Sequence, residues 1–145
     1  MILSLPWLVV AVVLYNLVAF SSSWPAAAAE GGLPQHVFQE QLLSVTMISG
    51  ATWSLTVGDL VVIVTLILLF VELIKATRTG GNSIVDHALS MVLFIVCIIE
   101  FLTVDRAATS TFFIILFVTL IDVVAGFSIT IRGARRDFGF GGTNP

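Results

Sequence analysis

The sequence predicts an all-α integral membrane protein: four transmembrane helices in a bundle, with a short amphipathic helix in the first outer loop. Three observations carry this. Of the 145 residues, 58% are hydrophobic and only 10% charged, where a soluble domain carries about 25% charged residues. The mean hydropathy is +1.10, and a soluble chain this short has too little interior to hide so much apolar surface. Four apolar runs, 2–20, 55–74, 85–104 and 111–131, are each close to the ~20 residues a helix needs to cross hydrocarbon. Residues 1–136 form a single four-span membrane domain, and residues 137–145 read as a flexible glycine-rich tail.

The first run competes with a secretory signal, because Ala27-Ala28-Ala29 resembles a small-residue cleavage site. A signal needs a basic start and an apolar region of about 7–15 residues. This run is longer and has no Lys or Arg before it, so we read it as a retained helix. Pro6 falls in its first turn, where a missing N–H does little harm. Trp7 and Trp24 suit the two interfaces.

Ser21 to Leu55 opens with Ser, Pro, Ala and Gly and reads as loop. Pro34 marks a helix start. Phe38, Leu42, Val45 and Ile48 then recur at 4-3-3 spacing, with Gln35, Gln39 and Glu40 largely elsewhere. That is an amphipathic helix over 35–49, too short to span, expected in the interface or across one side of the bundle.

In the second span Glu72 and Lys75 are three apart and share a face. Gly80-Gly81 favours a tight reversal, Asn82 or Ser83 suits the cap of the third span, and Asp86 in its first turn suits the helix dipole. The fourth span contains Asp122. Residues 112–131 hold fourteen Leu, Ile, Phe or Val, which at about −0.3 to −0.6 kcal/mol each outweigh a central Asp at about +3 kcal/mol.

Topology follows from the basic residues. The loop after the first span has none, and the loop after the third has only Arg106. Lys75, Arg78, Arg132, Arg135 and Arg136 fall on the other side. Positive-inside then places both termini in the cytoplasm. A bacterial inner membrane fits the short loops.

Charged groups in hydrocarbon are rare, so the intramembrane carboxylates are the candidate ion or polar sites: Asp122, Glu100, Asp59 and Glu72. Asp59 and Glu100 are expected near the outer leaflet, Asp122 near the midplane and Glu72 near the inner surface. Asp122 has no basic residue near its depth, since Arg132 is ten residues away, so it must be neutral, hydrogen-bonded, cation-bound or open to water. Asp86, Ser90, Leu93, Cys97 and Glu100 form one stripe on the third span. Thr119, Asp122, Gly126 and Thr130 lie on one side of the fourth, and Gly58, Thr65 and Glu72 repeat every seven residues on the second. Such stripes are what helix packing in a membrane requires.

No catalytic constellation is present. His36 and His87 fall on opposite sides, so no bis-histidine haem site or dinuclear centre forms. Cys97 is the only cysteine, so no intrachain disulfide exists and no cofactor or metal is expected. Three arginines beside a membrane set topology rather than grip nucleic acid. The arginine ladder of voltage-sensor domains is missing from the fourth span, and the first span lacks the acid of small four-span multidrug exporters. The expectation is a non-enzymatic accessory or assembly subunit that contacts lipid and associates with itself or another membrane protein. The alternative is proton or cation translocation through the intramembrane carboxylates.

Overall fold

The computed structural model describes residues 5–21, 34–77 and 83–139. The start of the first span, the Ala27–Ala29 segment, the Gly80-Gly81 reversal and the end of the tail lie outside the described residues. The described residues contain four α-helices: α1, Leu8–Ser21; α2, Val57–Ala76; α3, Ser83–Thr103; and α4, Ser110–Gly139. Three of them contain stretches long and apolar enough to cross a membrane: Val57–Ala76, Val85–Thr103 and Ser110–Ile129. The fourth, α1, is a shorter apolar helix. It begins two residues beyond Pro6 rather than around it, and its 14 residues reach about 21 Å at 1.5 Å per residue.

The amphipathic helix expected over 35–49 is replaced by two other elements. Pro34–Gln39 is a short 3-10 helix, and Gln41–Thr46 (β1) pairs antiparallel with Thr52–Thr56 (β2). Val45 faces Trp53 and Ser44 faces Ser54, and the register shifts between Gln41 and Leu43. The 4-3-3 spacing was coincidental. The same residues form two short runs rich in Thr, Val, Leu and Trp around Ser49-Gly50, which is a hairpin pattern. Gly50 turns the chain with φ of 83°, a conformation that side chains with a Cβ rarely adopt. Of the four residues assigned to the apolar face, only Phe38 is buried, while Leu42, Val45 and Ile48 are exposed.

β2 passes directly into α2. Thr56 accepts from the Asp59 N–H at 3.1 Å, and Asp59 Oδ2 accepts from the Thr56 N–H at 2.9 Å. This reciprocal capping box fixes where strand becomes helix. α4 is the central helix, packed against α2 and α3, and α1 packs chiefly on α2. Trp7 meets the last turns of α2, and Ala19 meets Arg106 between α3 and α4. The helices therefore alternate in direction, with the hairpin at one end. α4 continues to Gly139, into the segment expected to be a tail from residue 137, and the remainder of that segment lies outside the described residues.

The hairpin end is tied by Tyr15, which is fully buried. Its ring stacks on Phe38 at 4.5 Å and lies 4.8 Å from Phe112. Its hydroxyl donates to the Arg106 carbonyl at 2.7 Å. A phenol has one proton, so Thr109 must donate in the second bond, also 2.7 Å. Arg106 caps the end of α1 by donating to the Ala19 carbonyl at 3.0 Å, and its guanidinium lies 4.8 Å from the Phe20 ring centre. Most residues of the stripes named above face inward: Gly58, Thr65, Glu72, Ser90, Leu93, Cys97, Thr119, Asp122 and Gly126 are buried, while Asp86 and Glu100 are half-buried.

Tyr15→Phe keeps both ring contacts and removes both hydroxyl bonds. It should lower stability by about 1–2 kcal/mol, read by denaturant titration in micelles, with the helical content of the folded state unchanged.

Candidate functional site

The polar groups of the bundle gather at the end opposite the hairpin. Glu72 and Lys75 lie in the last turns of α2, and Lys75 Nζ sits 3.2 Å from Glu72 Oε1. The other carboxylate oxygen, Oε2, accepts the Trp7 backbone N–H at 2.8 Å. That N–H belongs to the start of α1, where helix geometry leaves donors without intrahelical partners. Lys75 Nζ also lies 3.6 Å from Asp86 Oδ2 on α3. Lys75 is in the last turn of its helix and Asp86 in the first turn of its own, so each charge stands at the helix end whose dipole favours it. Three helix ends are joined by this one cluster. Among the described residues, Asp86 Oδ1 is buried with no hydrogen-bond partner.

Asp122 lies deeper, twelve residues along α4 from Ser110, or about 18 Å of helix rise. It is 4% exposed, and the Ser90 side chain of α3 stands beside it. Glu72, Lys75 and His87 all act on it electrostatically. Counting along α4 had left Asp122 without a basic neighbour. The neighbours come from α2 and α3, which a single-helix count does not see. His87 is buried against α4, where its ring lies 5.8 Å from that of Phe127. A Cβ on Gly126 would overlap the His87 imidazole, so the glycine is what admits the ring.

Of the four carboxylates predicted from sequence, Glu72 and Asp122 belong to this cluster. Glu100 is half-buried on α3, within electrostatic reach of Tyr15 and Cys97. Asp59 stands apart: it is exposed at the hairpin end and caps its own helix. Between the two ends, Cys97 hydrogen-bonds with Thr119. Leu93, 9% exposed, stands between Ser90 and Cys97 on the same stripe.

Sequence reasoning had set His87 aside as a lone histidine and had not joined Lys75 to Asp86. The i,i+3 pairing of Glu72 with Lys75 was legible, as was the burial of Ser90 on the Asp86 stripe. Among the described residues no three of His, Cys, Asp and Glu are grouped as metal ligands. No protein-family model, curated protein or solved structure matches the chain.

The fit of His87 against Gly126 gives a direct check. Gly126→Ala should destabilise the fold by about 1–3 kcal/mol through overpacking. His87→Ala in the same chain should recover most of that loss. Additive losses in the double variant would mean that the two residues do not share one space.

Proposed function

We infer that the chain is a small non-enzymatic integral membrane protein, an accessory or assembly subunit that associates with itself or with another membrane protein. The observation that carries this reading is that its buried carboxylates are spent on holding helices. Glu72 binds the start of α1 and pairs with Lys75. Asp122 faces the Ser90 side chain of α3. In lipid, where helices gain little from burying apolar surface against each other, small residues and polar bonds are the groups that hold a bundle together. Outside the bundle, apolar side chains such as Phe70 and Leu102, 64% and 74% exposed, face away from the core and suit lipid or a neighbouring helix. The hairpin adds support: Gln41 to Thr56 includes no charged residue, and edge strands without charges are poorly protected against pairing.

In this reading the positive-inside rule places both termini in the cytoplasm of a bacterial inner membrane and the hairpin outside. Ser49 at the hairpin tip is exposed and open to labelling. In a Cys97→Ser background, Ser49→Cys should react with an impermeant thiol reagent from outside and Thr143→Cys should not. Labelling of position 143 from outside would overturn the orientation.

A second reading, proton or cation translocation, is favoured by one observation. Asp122 on α4 lies within electrostatic reach of His87, Lys75 and Glu72, and the last two pair at the end of the bundle. Leu93 interrupts the polar stripe beyond these groups, which weighs toward packing. Asp122→Asn separates the two readings, because Asn can supply a hydrogen bond but cannot release and regain a proton. As a packing group, Asp122→Asn should retain assembly, while Asp122→Leu should weaken it by about 1–2 kcal/mol. As a carrier, Asp122→Asn should assemble normally and abolish pH-gradient-driven proton uptake in liposomes. Cross-linking in the same preparations reports assembly.

A further inference from the structure

At the hairpin end, a cleft of about 210 Å³ opens between the first turns of α2 and α4. Its geometry depends on Gly58. A Cβ there would stand 2.8 Å from Thr111 Oγ1 and 2.9 Å from the Phe38 carbonyl oxygen, so only glycine lets α2, α4 and the 3-10 helix converge. The cleft has two unlike halves. Gln39, Asp59, Ser110 and Thr111 line it with an amide, a carboxylate and two hydroxyls, and Val62 and Ile114 line it with hydrocarbon. One helical turn further from the hairpin, the same faces of α2 and α4 continue as Leu66 and Phe117, 49% and 56% exposed. The apolar half of the cleft therefore runs into the apolar flank of the bundle.

Asp59 sets the charge. Both of its hydrogen bonds, from the Thr56 N–H and hydroxyl, end on Oδ2. Among the described residues Oδ1 accepts no hydrogen bond, and no Lys or Arg lines the cleft. Arg106, the basic residue at this end, is engaged with the Ala19 carbonyl and the Phe20 ring. The carboxylate caps α2 through Oδ2 and leaves Oδ1 without a bond from the described residues, beside hydroxyl and amide groups and with no cationic side chain lining the cleft. A primary ammonium satisfies such a set, because it brings positive charge together with N–H donors. A quaternary ammonium brings the charge without the donors.

We propose that this cleft holds the headgroup of a membrane lipid bearing a primary amine, with the ammonium on Asp59 and an acyl chain along Val62 and Ile114. A soluble amine shares the headgroup chemistry but makes no use of the apolar half. The proposal rests on the membrane-spanning reading of α2 and α4, and it is independent of whether the chain is a subunit or a transporter.

The test uses the full chain in nanodiscs containing phosphatidylethanolamine and phosphatidylcholine in equal amounts with matched acyl chains. Resistance to carbonate extraction first establishes insertion, so a chain that is not in the bilayer is told apart from an inserted chain without the site. Native mass spectrometry then reads which lipid is retained. Phosphatidylethanolamine should be retained in preference, and Asp59→Asn should reduce that preference about tenfold, as expected for loss of a charge-assisted hydrogen bond. Val62→Trp, which leaves the helix cap untouched, should reduce retention of both lipids by filling the apolar half. Equal retention of the two lipids by the parent chain would overturn the proposal. So would a preference that survives both substitutions. Displacement of the lipid by soluble phosphoethanolamine at matched concentration would assign the cleft to a free amine instead, and would also overturn it.

Discussion

A polar group between apolar helices has to find its partner within the protein, because hydrocarbon offers none. That constraint orders this bundle. With lipid as the solvent proposed for α2, α3 and α4, Glu72, Asp122, Ser90, Thr65 and Thr119 are placed where another helix, or their own, can answer them. Thr65 and Thr119 bond to carbonyls of their own helices, at 2.8 and 2.7 Å. Glu72 instead bonds across helices, to the start of α1, and Asp122 faces Ser90 of α3.

The two ends of the bundle meet the same demand differently. At the hairpin end the connection is aromatic. Tyr15, Phe38 and Phe112 supply buried area, and a single hydroxyl bridges Arg106 and Thr109. At the opposite end it is ionic. Lys75 stands between Glu72 and Asp86, and its side chain remains 17% exposed. Partial exposure limits what such pairs add to stability. Their contribution is more one of position, since they bring the start of α1, the end of α2 and the start of α3 to one point. α1, the shortest of the four helices, is held at both of its ends by bonds from other elements.

The cluster around Asp122 bears on both functional readings. A carboxylate beside Ser90 and facing His87 and Lys75 is a packing device as it stands. It is also the arrangement from which a proton path to one surface would be built. The polar stripe stops at Leu93 and resumes at Cys97, so the contiguous ionisable groups reach one end of the bundle and not both. That asymmetry favours the proposed subunit role over translocation.

Composition and periodicity determined the helical class, the extents of α2 and α3 and the start of α4, because a run of about twenty apolar residues has few other stable solutions. They also determined which faces turn inward: polar and small residues at helical spacing on α2, α3 and α4 are the buried ones. The pairing of Glu72 with Lys75 was legible for the same reason, since residues three apart on a helix are neighbours wherever the helix goes. The hairpin was not legible from the period used, because Phe38, Leu42, Val45 and Ile48 fit a helix by count while the turn at Gly50 folds the segment back on itself. Only the tertiary structure decided what lies opposite each stripe. Glu72 to Trp7, Lys75 to Asp86, Asp122 to Ser90 and His87 to Gly126 are contacts between different helices. Sequence spacing fixes the angle of a residue on its own helix, and it leaves the neighbour, the depth and the rotation of the facing helix to packing.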